Sequence, residues 1–67
     1  MKAKIQEVIS GYGFGISVKD LAKEVYRKLS MAGESVYIVN ERYIGANGKI
    51  YQLRKTRTKG KWTVVEY

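Results

Sequence analysis

The chain has 67 residues and a net charge of +7, and it contains neither cysteine nor histidine. Disulfides, ordinary zinc sites and catalysis by a cysteine or histidine side chain are therefore excluded. A chain this short forms at most one domain, residues 1–67, and its core is thin because only about 60% of its unfolded surface is buried on folding.

Residues 3–10 fit either of two secondary structures. Ile5, Val8 and Ile9 are spaced at i, i+3 and i+4, which is typical of the apolar side of a short helix. Val8 and Ile9 are β-branched, however, and β-branched residues favour strands. The pattern leaves both alternatives open.

A glycine-rich segment with two aromatic residues follows, with the sequence SGYGFGIS at residues 10–17. Its closely spaced glycines break a helix and indicate a loop or an irregular strand. The order Gly-Tyr-Gly-Phe at residues 11–14 resembles the first half of the octamer of RNA-recognition motifs and the glycine-aromatic run of cold-shock domains, in which the rings stack on bases. The segment departs from those patterns at Ser10, Gly15 and Ser17.

The same segment has two other interpretations. It is either an ordered loop in which Tyr12 and Phe14 cover the core beside the next helix, or an exposed loop whose rings grip a partner. We expect the ordered loop, because strong helix signals follow where a cold-shock barrel would need strands.

Residues 18–31 carry the clearest helix pattern. Ser17 is a favourable N-cap, Asp20 stands three residues later in the capping-box position, and Gly33 is the natural stop. Glu24 and Lys28 form an i,i+4 pair in the favourable order. The apolar positions form one stripe that should face the core, and they are Val18, Leu21, Ala22, Val25, Tyr26 and Leu29.

The remaining residues favour β structure. A strand rich in β-branched and aromatic residues ends near Asn40, where the chain either makes a tight turn at Asn40 and Glu41 or bulges and continues to Ile44. Asn47-Gly48 predicts a two-residue type I′ hairpin, because both positions need positive φ. Lys59-Gly60 predicts a second two-residue turn before the last strand.

Counting outward from the second turn predicts a register for the last two strands. The predicted partners are Thr58 with Lys61, Arg57 with Trp62, Lys55 with Val64 and Leu53 with Glu66. This register places Tyr51, Leu53, Trp62 and Val64 on one face, with Lys55 and Arg57 toward its rim. The other face carries Gln52, Arg54, Thr56, Thr58, Lys61 and Thr63. We therefore predict an α+β fold in which one amphipathic helix, preceded by a short helix if residues 3–10 are helical, packs on a three- to four-stranded antiparallel sheet.

The positive charge is concentrated in residues 49–61, which hold six basic residues and no acidic one. Such segregation is typical of a polyanion partner, although a solvated hairpin is the alternative. Hydroxyl groups beside cations suit phosphate contacts, and a two-stranded ribbon fits a DNA groove. We expect nucleic-acid binding, with DNA favoured over RNA, through Arg54, Lys55, Arg57, Lys59 and Lys61.

A protein partner is the second hypothesis. The short, cysteine-free and lysine-rich chain resembles small accessory proteins of bacteriophages and mobile elements, which often bind one host protein. Aromatic residues are enriched in interfaces. The candidate contact residues, which a homodimer could also use, are Tyr12, Phe14, Tyr37, Tyr43 and Tyr67, with Trp62 beside them.

No enzymatic activity, cofactor or metal site is expected. The six carboxylates are scattered among lysines, and a domain this small rarely has the cleft that paired catalytic carboxylates need. No segment has the length of a membrane span and no signal-peptide core forms at the N-terminus, so we expect a cytoplasmic protein without a membrane partner.

Overall fold

A computed structural model describes residues 1–56 and 60–67 as two helices packed on one face of a four-stranded antiparallel sheet. The strands lie in chain order, so every connection is local. The predicted α+β fold is confirmed, and residues 2–9 prove to be helical. The elements are α1 Lys2–Ile9, α2 Val18–Met31, β1 Val36–Asn40, β2 Tyr43–Ala46, β3 Lys49–Lys55 and β4 Trp62–Glu66.

Helix α2 begins and ends where its capping residues predict. The Ser17 hydroxyl accepts a hydrogen bond of 3.2 Å from the backbone amide of Asp20, which satisfies one free donor of the first turn. Gly33 has a φ of +86° at the other end. The amides of Gly33 and Glu34 bond back to the carbonyls of Ser30 and Leu29, at 3.0 and 2.9 Å. This is a Schellman motif, which glycine favours because it adopts positive φ without strain.

Two details of α2 differ from the prediction. Tyr26 is 44% exposed, because it lies a quarter-turn away from the buried Val25 at the edge of the apolar stripe. Glu24 pairs with Arg27 at 2.8 Å instead of with Lys28. The ammonium group of Lys28 lies 5.0 Å from the centre of the Tyr12 ring, so its position is set by that ring.

The core lies between the helices and the sheet. Helix α1 adds Ile5 and Ile9 to this core, and both side chains are fully buried. Helix α1 therefore enlarges the thin core that α2 alone would form with the sheet. The other fully or almost fully buried side chains come from α2 and from all four strands, and they are Leu21, Ala22, Val25, Leu29, Val36, Ile44, Ala46, Tyr51, Leu53, Trp62 and Val64.

The connection between β1 and β2 contains both alternatives that the sequence left open, a tight turn and a bulge. The chain turns at Glu41-Arg42, one residue later than predicted, and Asn40 pairs with Tyr43. The register also shifts between Ile38 and Asn40, so a bulge accompanies the turn. The second hairpin is confirmed, with a φ of 53° at Asn47 and 75° at Gly48.

The register of β3 and β4 corrects the predicted one by two residues. Lys55 pairs with Trp62, and Leu53 pairs with Val64. The amide of Thr56 donates to the carbonyl of Lys61 at 3.1 Å, so the connection is longer than the predicted two-residue turn. The predicted partners Arg57 and Thr58 lie outside the described residues. Because the shift is an even number of residues, the described side chains keep their predicted faces.

The edge of β4 is covered by the side chain of Gln6 from α1. Its amide nitrogen donates to the carbonyl of Trp62 at 3.1 Å, and its amide oxygen accepts from the backbone N–H of Val64 at 3.1 Å. An edge strand normally presents such groups to solvent or to another chain. Gln6 therefore satisfies two backbone groups of the β4 edge that another strand would otherwise pair.

Candidate nucleic-acid interface

The predicted cationic residues that the structure describes lie at one end of β3 and β4 but on two faces of the sheet. Arg54 is opposite Thr63 on the outer face, away from the helices, and Lys61 follows it there beside Thr56. Lys55 is opposite Trp62 on the helix side. Neighbouring residues of a strand alternate in this way. Arg57 and Lys59 lie outside the described residues.

On the helix side, Lys55 is held against two aromatic rings. Its ammonium group lies 5.1 Å from the centre of the Phe14 ring and 5.4 Å from that of Trp62. The two rings meet edge to face at 5.4 Å. Each contact attracts the cation to a ring while its charge stays near solvent. Phe14 therefore covers the core and also positions Lys55, a candidate contact for phosphate.

An open cleft of about 530 Å³ lies next to this lysine. Three cationic residues and no carboxylate are among the residues that line its described walls. The walls are formed by Ser17, Val18, Arg42, Leu53, Arg54, Lys55 and Trp62. A cleft of this charge suits a phosphate group, because the cations can approach it from several sides.

Sequence reasoning missed Arg42 as a cationic residue of the cleft, because Arg42 lies outside the basic segment 49–61. The turn between β1 and β2 brings it there. Its carbonyl accepts a hydrogen bond of 2.8 Å from the amide of Leu53, which extends the pairing of β2 and β3 beyond Tyr43. Counting outward from the predicted Asn47-Gly48 turn would have placed Arg42 opposite Leu53. We call Arg42, Arg54, Lys55 and Lys61 the basic end.

Several other cations are neutralised by carboxylates. Lys49, at the opposite end of β3, lies 3.4 Å from Glu66, and Lys4 lies 2.8 Å from Glu34. Arg27 pairs with Glu24, and this guanidinium, followed by the Tyr12 hydroxyl, lowers the pKa of Glu24 to about 2. Among the described residues, no ion pair involves the basic end. Its charge is therefore available to a ligand.

The aromatic residues predicted to contact a partner separate into two groups. Tyr12 and Phe14 pack beside α2, where the Tyr12 hydroxyl bonds to Glu24 at 3.0 Å. Their expected role as a cover for the core is met, with Phe14 still 38% exposed. The other three, Tyr37, Tyr43 and Tyr67, lie on the outer face of the sheet.

On that face the tyrosines contact one another and the backbone. The rings of Tyr43 and Tyr67 meet edge to face at 5.2 Å. The Tyr37 ring lies over Gly45, where any side chain would overlap it. Tyr67 is 79% exposed and Tyr37 is 54% exposed. These rings therefore form a surface instead of completing the core.

The chemistry offered by these surfaces is ionic and aromatic. Within residues 1–56 and 60–67, no group of three or more His, Cys, Asp or Glu residues is placed to hold a metal ion. Over the same described ranges, neither helix has the length and apolar character needed to cross a membrane.

No protein-family model matches the chain, and no curated protein or solved structure matches it significantly.

Proposed function

We propose that the protein binds DNA through its phosphates, using the basic end of the sheet, in a role without catalysis. The observation that carries this proposal is one open cleft that Arg42, Arg54 and Lys55 line and whose described walls contain no carboxylate. Lys61 extends the same charge onto the outer face. The cytoplasmic location expected from the sequence is part of the proposal.

Contacts of this kind bind the backbone and do not read bases. Lysine and arginine that neutralise phosphates release condensed counterions, which makes the affinity fall steeply with salt. Because the contacts are to the backbone, unrelated duplexes should bind with similar affinity. Arg57 and Lys59 join the proposed contact set on sequence grounds, since they belong to the same basic segment.

The test compares two double variants that lose the same charge. Arg54→Ala with Lys61→Ala removes two proposed contacts, whereas Lys2→Ala with Lys23→Ala removes two exposed lysines of the helices. The first pair should weaken binding to every duplex and lower the salt slope by about two units, one for each phosphate contact. The pair Arg57→Ala with Lys59→Ala should behave like the first pair.

The helix pair should leave affinity and slope close to those of the unaltered protein. Equal losses of affinity in the helix pair and in Arg54→Ala with Lys61→Ala would mean that only net charge matters. That result would contradict a defined interface. An absence of binding to duplex and single strand at low salt would contradict the proposal itself.

A second candidate function, an accessory protein that binds a host protein, is favoured by the surface of β1. Three consecutive residues of this edge strand are exposed, namely Tyr37, Ile38 and Val39, at 54%, 41% and 46%. Exposed apolar edges invite another chain. Capture of one host protein that persists after nuclease treatment, resists salt and is lost in Ile38→Arg would support this function over DNA binding.

A further inference from the structure

The outer face of the sheet is divided into an aromatic half and a basic half. Strand pairing orders it in rows, since Tyr37 is opposite Gly45, Gly45 is opposite Ile50, and the amide of Tyr67 bonds to the carbonyl of Ile50 at 2.8 Å. The next row holds Tyr43, Gln52 and Val65. Arg54 with Thr63, and then Thr56 with Lys61, complete the face. Successive rows are about 7 Å apart.

The charge of this face is of one sign. Glu66 is the only acidic residue in the four strands, and it is opposite the buried Tyr51, on the helix side, where it pairs with Lys49. The outer face of the strands therefore has no carboxylate to repel a polyanion. Arg54 stands one row beyond Tyr43, so a cation adjoins this half-buried ring, which in turn contacts the exposed ring of Tyr67.

We propose that this face binds single-stranded DNA, with bases stacked on the rings of Tyr43, Tyr67 and Tyr37 and phosphates held by Arg54 and Lys61. The inference rests on the proposed function and deepens it by naming the form of DNA. Aromatic rings beside a cationic groove are the combination that binds single strands without sequence preference, since every base offers a π face.

The arrangement favours a single strand over a duplex. In a duplex the faces of the bases are hidden in the stack, so exposed rings have nothing to stack on. The row spacing of the sheet is comparable to the length of one extended nucleotide. A strand that runs along β3 can therefore place a base on the tyrosines while its neighbouring phosphate reaches Arg54.

Two of the three rings that carry the proposal, those of Tyr37 and Tyr67, are exposed, and Tyr43 is half-buried beside Tyr67. Tyr67 is 79% exposed, so Tyr67→Ala removes a stacking surface without disturbing the core. Tyr67→Phe keeps the ring and removes only its hydroxyl. Tyr26 on α2 is an exposed tyrosine away from this face, which makes Tyr26→Ala a matched control.

The experiment measures the affinity of each variant for an oligothymidylate and for a duplex by fluorescence anisotropy, over a series of salt concentrations. Tyr67→Ala and Tyr43→Ala should weaken oligothymidylate binding by about five- to a hundredfold with an unchanged salt slope. Duplex binding should change little. Tyr67→Phe and Tyr26→Ala should bind as the unaltered protein does, and circular dichroism checks that Tyr43→Ala is folded.

The outcomes separate this inference from the proposed function. If Arg54→Ala with Lys61→Ala weakens binding while Tyr67→Ala and Tyr43→Ala do not, the stacking surface is wrong and phosphate binding stands. If the unaltered protein binds neither oligothymidylate nor duplex, both fail. If Tyr67→Ala dissociates a dimer in sedimentation and leaves oligothymidylate affinity unchanged, the face joins two copies and the inference is overturned.

Discussion

The indole nitrogen of Trp62 donates a hydrogen bond of 2.8 Å to the carbonyl oxygen of Gly13, which ties the last strand to the glycine-rich loop. The Phe14 ring packs edge to face on the same indole. Trp62 is 2% exposed, so the donor side of the bond is buried and the loop is anchored at the core. These two contacts give the glycine-rich loop a structural role beside the core.

Trp62→Phe should test this anchor. The change keeps an aromatic ring but leaves the Gly13 carbonyl without its donor, and we expect a loss of at least about 1 kcal/mol in the free energy of unfolding. Urea denaturation measures the loss, and hydrogen exchange should quicken in residues 13–16. Tyr26→Phe, a ring change at an exposed site, should have no effect. Unaltered exchange in the loop would contradict the anchoring role.

Ser17→Ala should remove the N-cap of α2. The hydroxyl that accepts from the Asp20 amide is lost, so we expect a destabilisation of about 1 kcal/mol. Ser30→Ala is the matched control, because Ser30 is exposed within the same helix and alanine is the better helix former. Equal losses of unfolding free energy for Ser17→Ala and Ser30→Ala in urea denaturation would contradict a stabilising role of the cap.

Leu21→Ala and Val25→Ala should be more costly than loss of the cap. Both side chains are fully buried between α2 and the sheet, and each truncation should destabilise the protein by roughly 1–4 kcal/mol through lost burial and a residual cavity. Lys23→Ala, on the exposed side of the same helix, should change the unfolding free energy little. A flat response at Leu21 and Val25 would mean that α2 is not packed as described.

Glu24 should titrate far below an ordinary glutamate. The Arg27 guanidinium and, after it, the Tyr12 hydroxyl lower its pKa from 4.5 to about 2. Because the pKa is lower in the folded chain, these contacts stabilise it fully above about pH 4.5, and that contribution is lost as the pH falls through about 2. Carboxyl NMR titration should show the pKa rising in Arg27→Gln and, by less, in Tyr12→Phe. An ordinary value in the unaltered protein would rule out the contacts.

Local signals predicted much of this fold. Ser17, Gly33 and the apolar stripe delimit α2 because a helix is stabilised by residues three and four positions apart. Asn47-Gly48 similarly determines its hairpin by the φ angles that it adopts. Residues 3–10 carried no such cap, and packing of Ile5 and Ile9 in the core decided between helix and strand.

The candidate site was predictable only in part. Composition identified Arg54, Lys55 and Lys61, but the cross-strand partner of Lys55 was predicted wrongly, because the Lys59-Gly60 signal implied a shorter connection than the register shows. Arg42 enters the cleft through the pairing of two strands, which composition along the chain does not show. The outer tyrosines were named only because aromatic residues are enriched in interfaces. Their contact with one another and with Gly45 is a property of the sheet.

The clamp formed by Gln6 makes the two edges of the sheet unequal. Its amide occupies outward-facing backbone groups of β4, whereas no such side-chain clamp on β1 is found among the described residues. If two copies associate through their edges, β1 must therefore meet β1 across a two-fold axis. Both outer ends of that pair are then β4 strands, on which Gln6 already occupies the Trp62 carbonyl and the Val64 amide. If the edges do associate, this one glutamine would favour a pair of copies over a longer fibre.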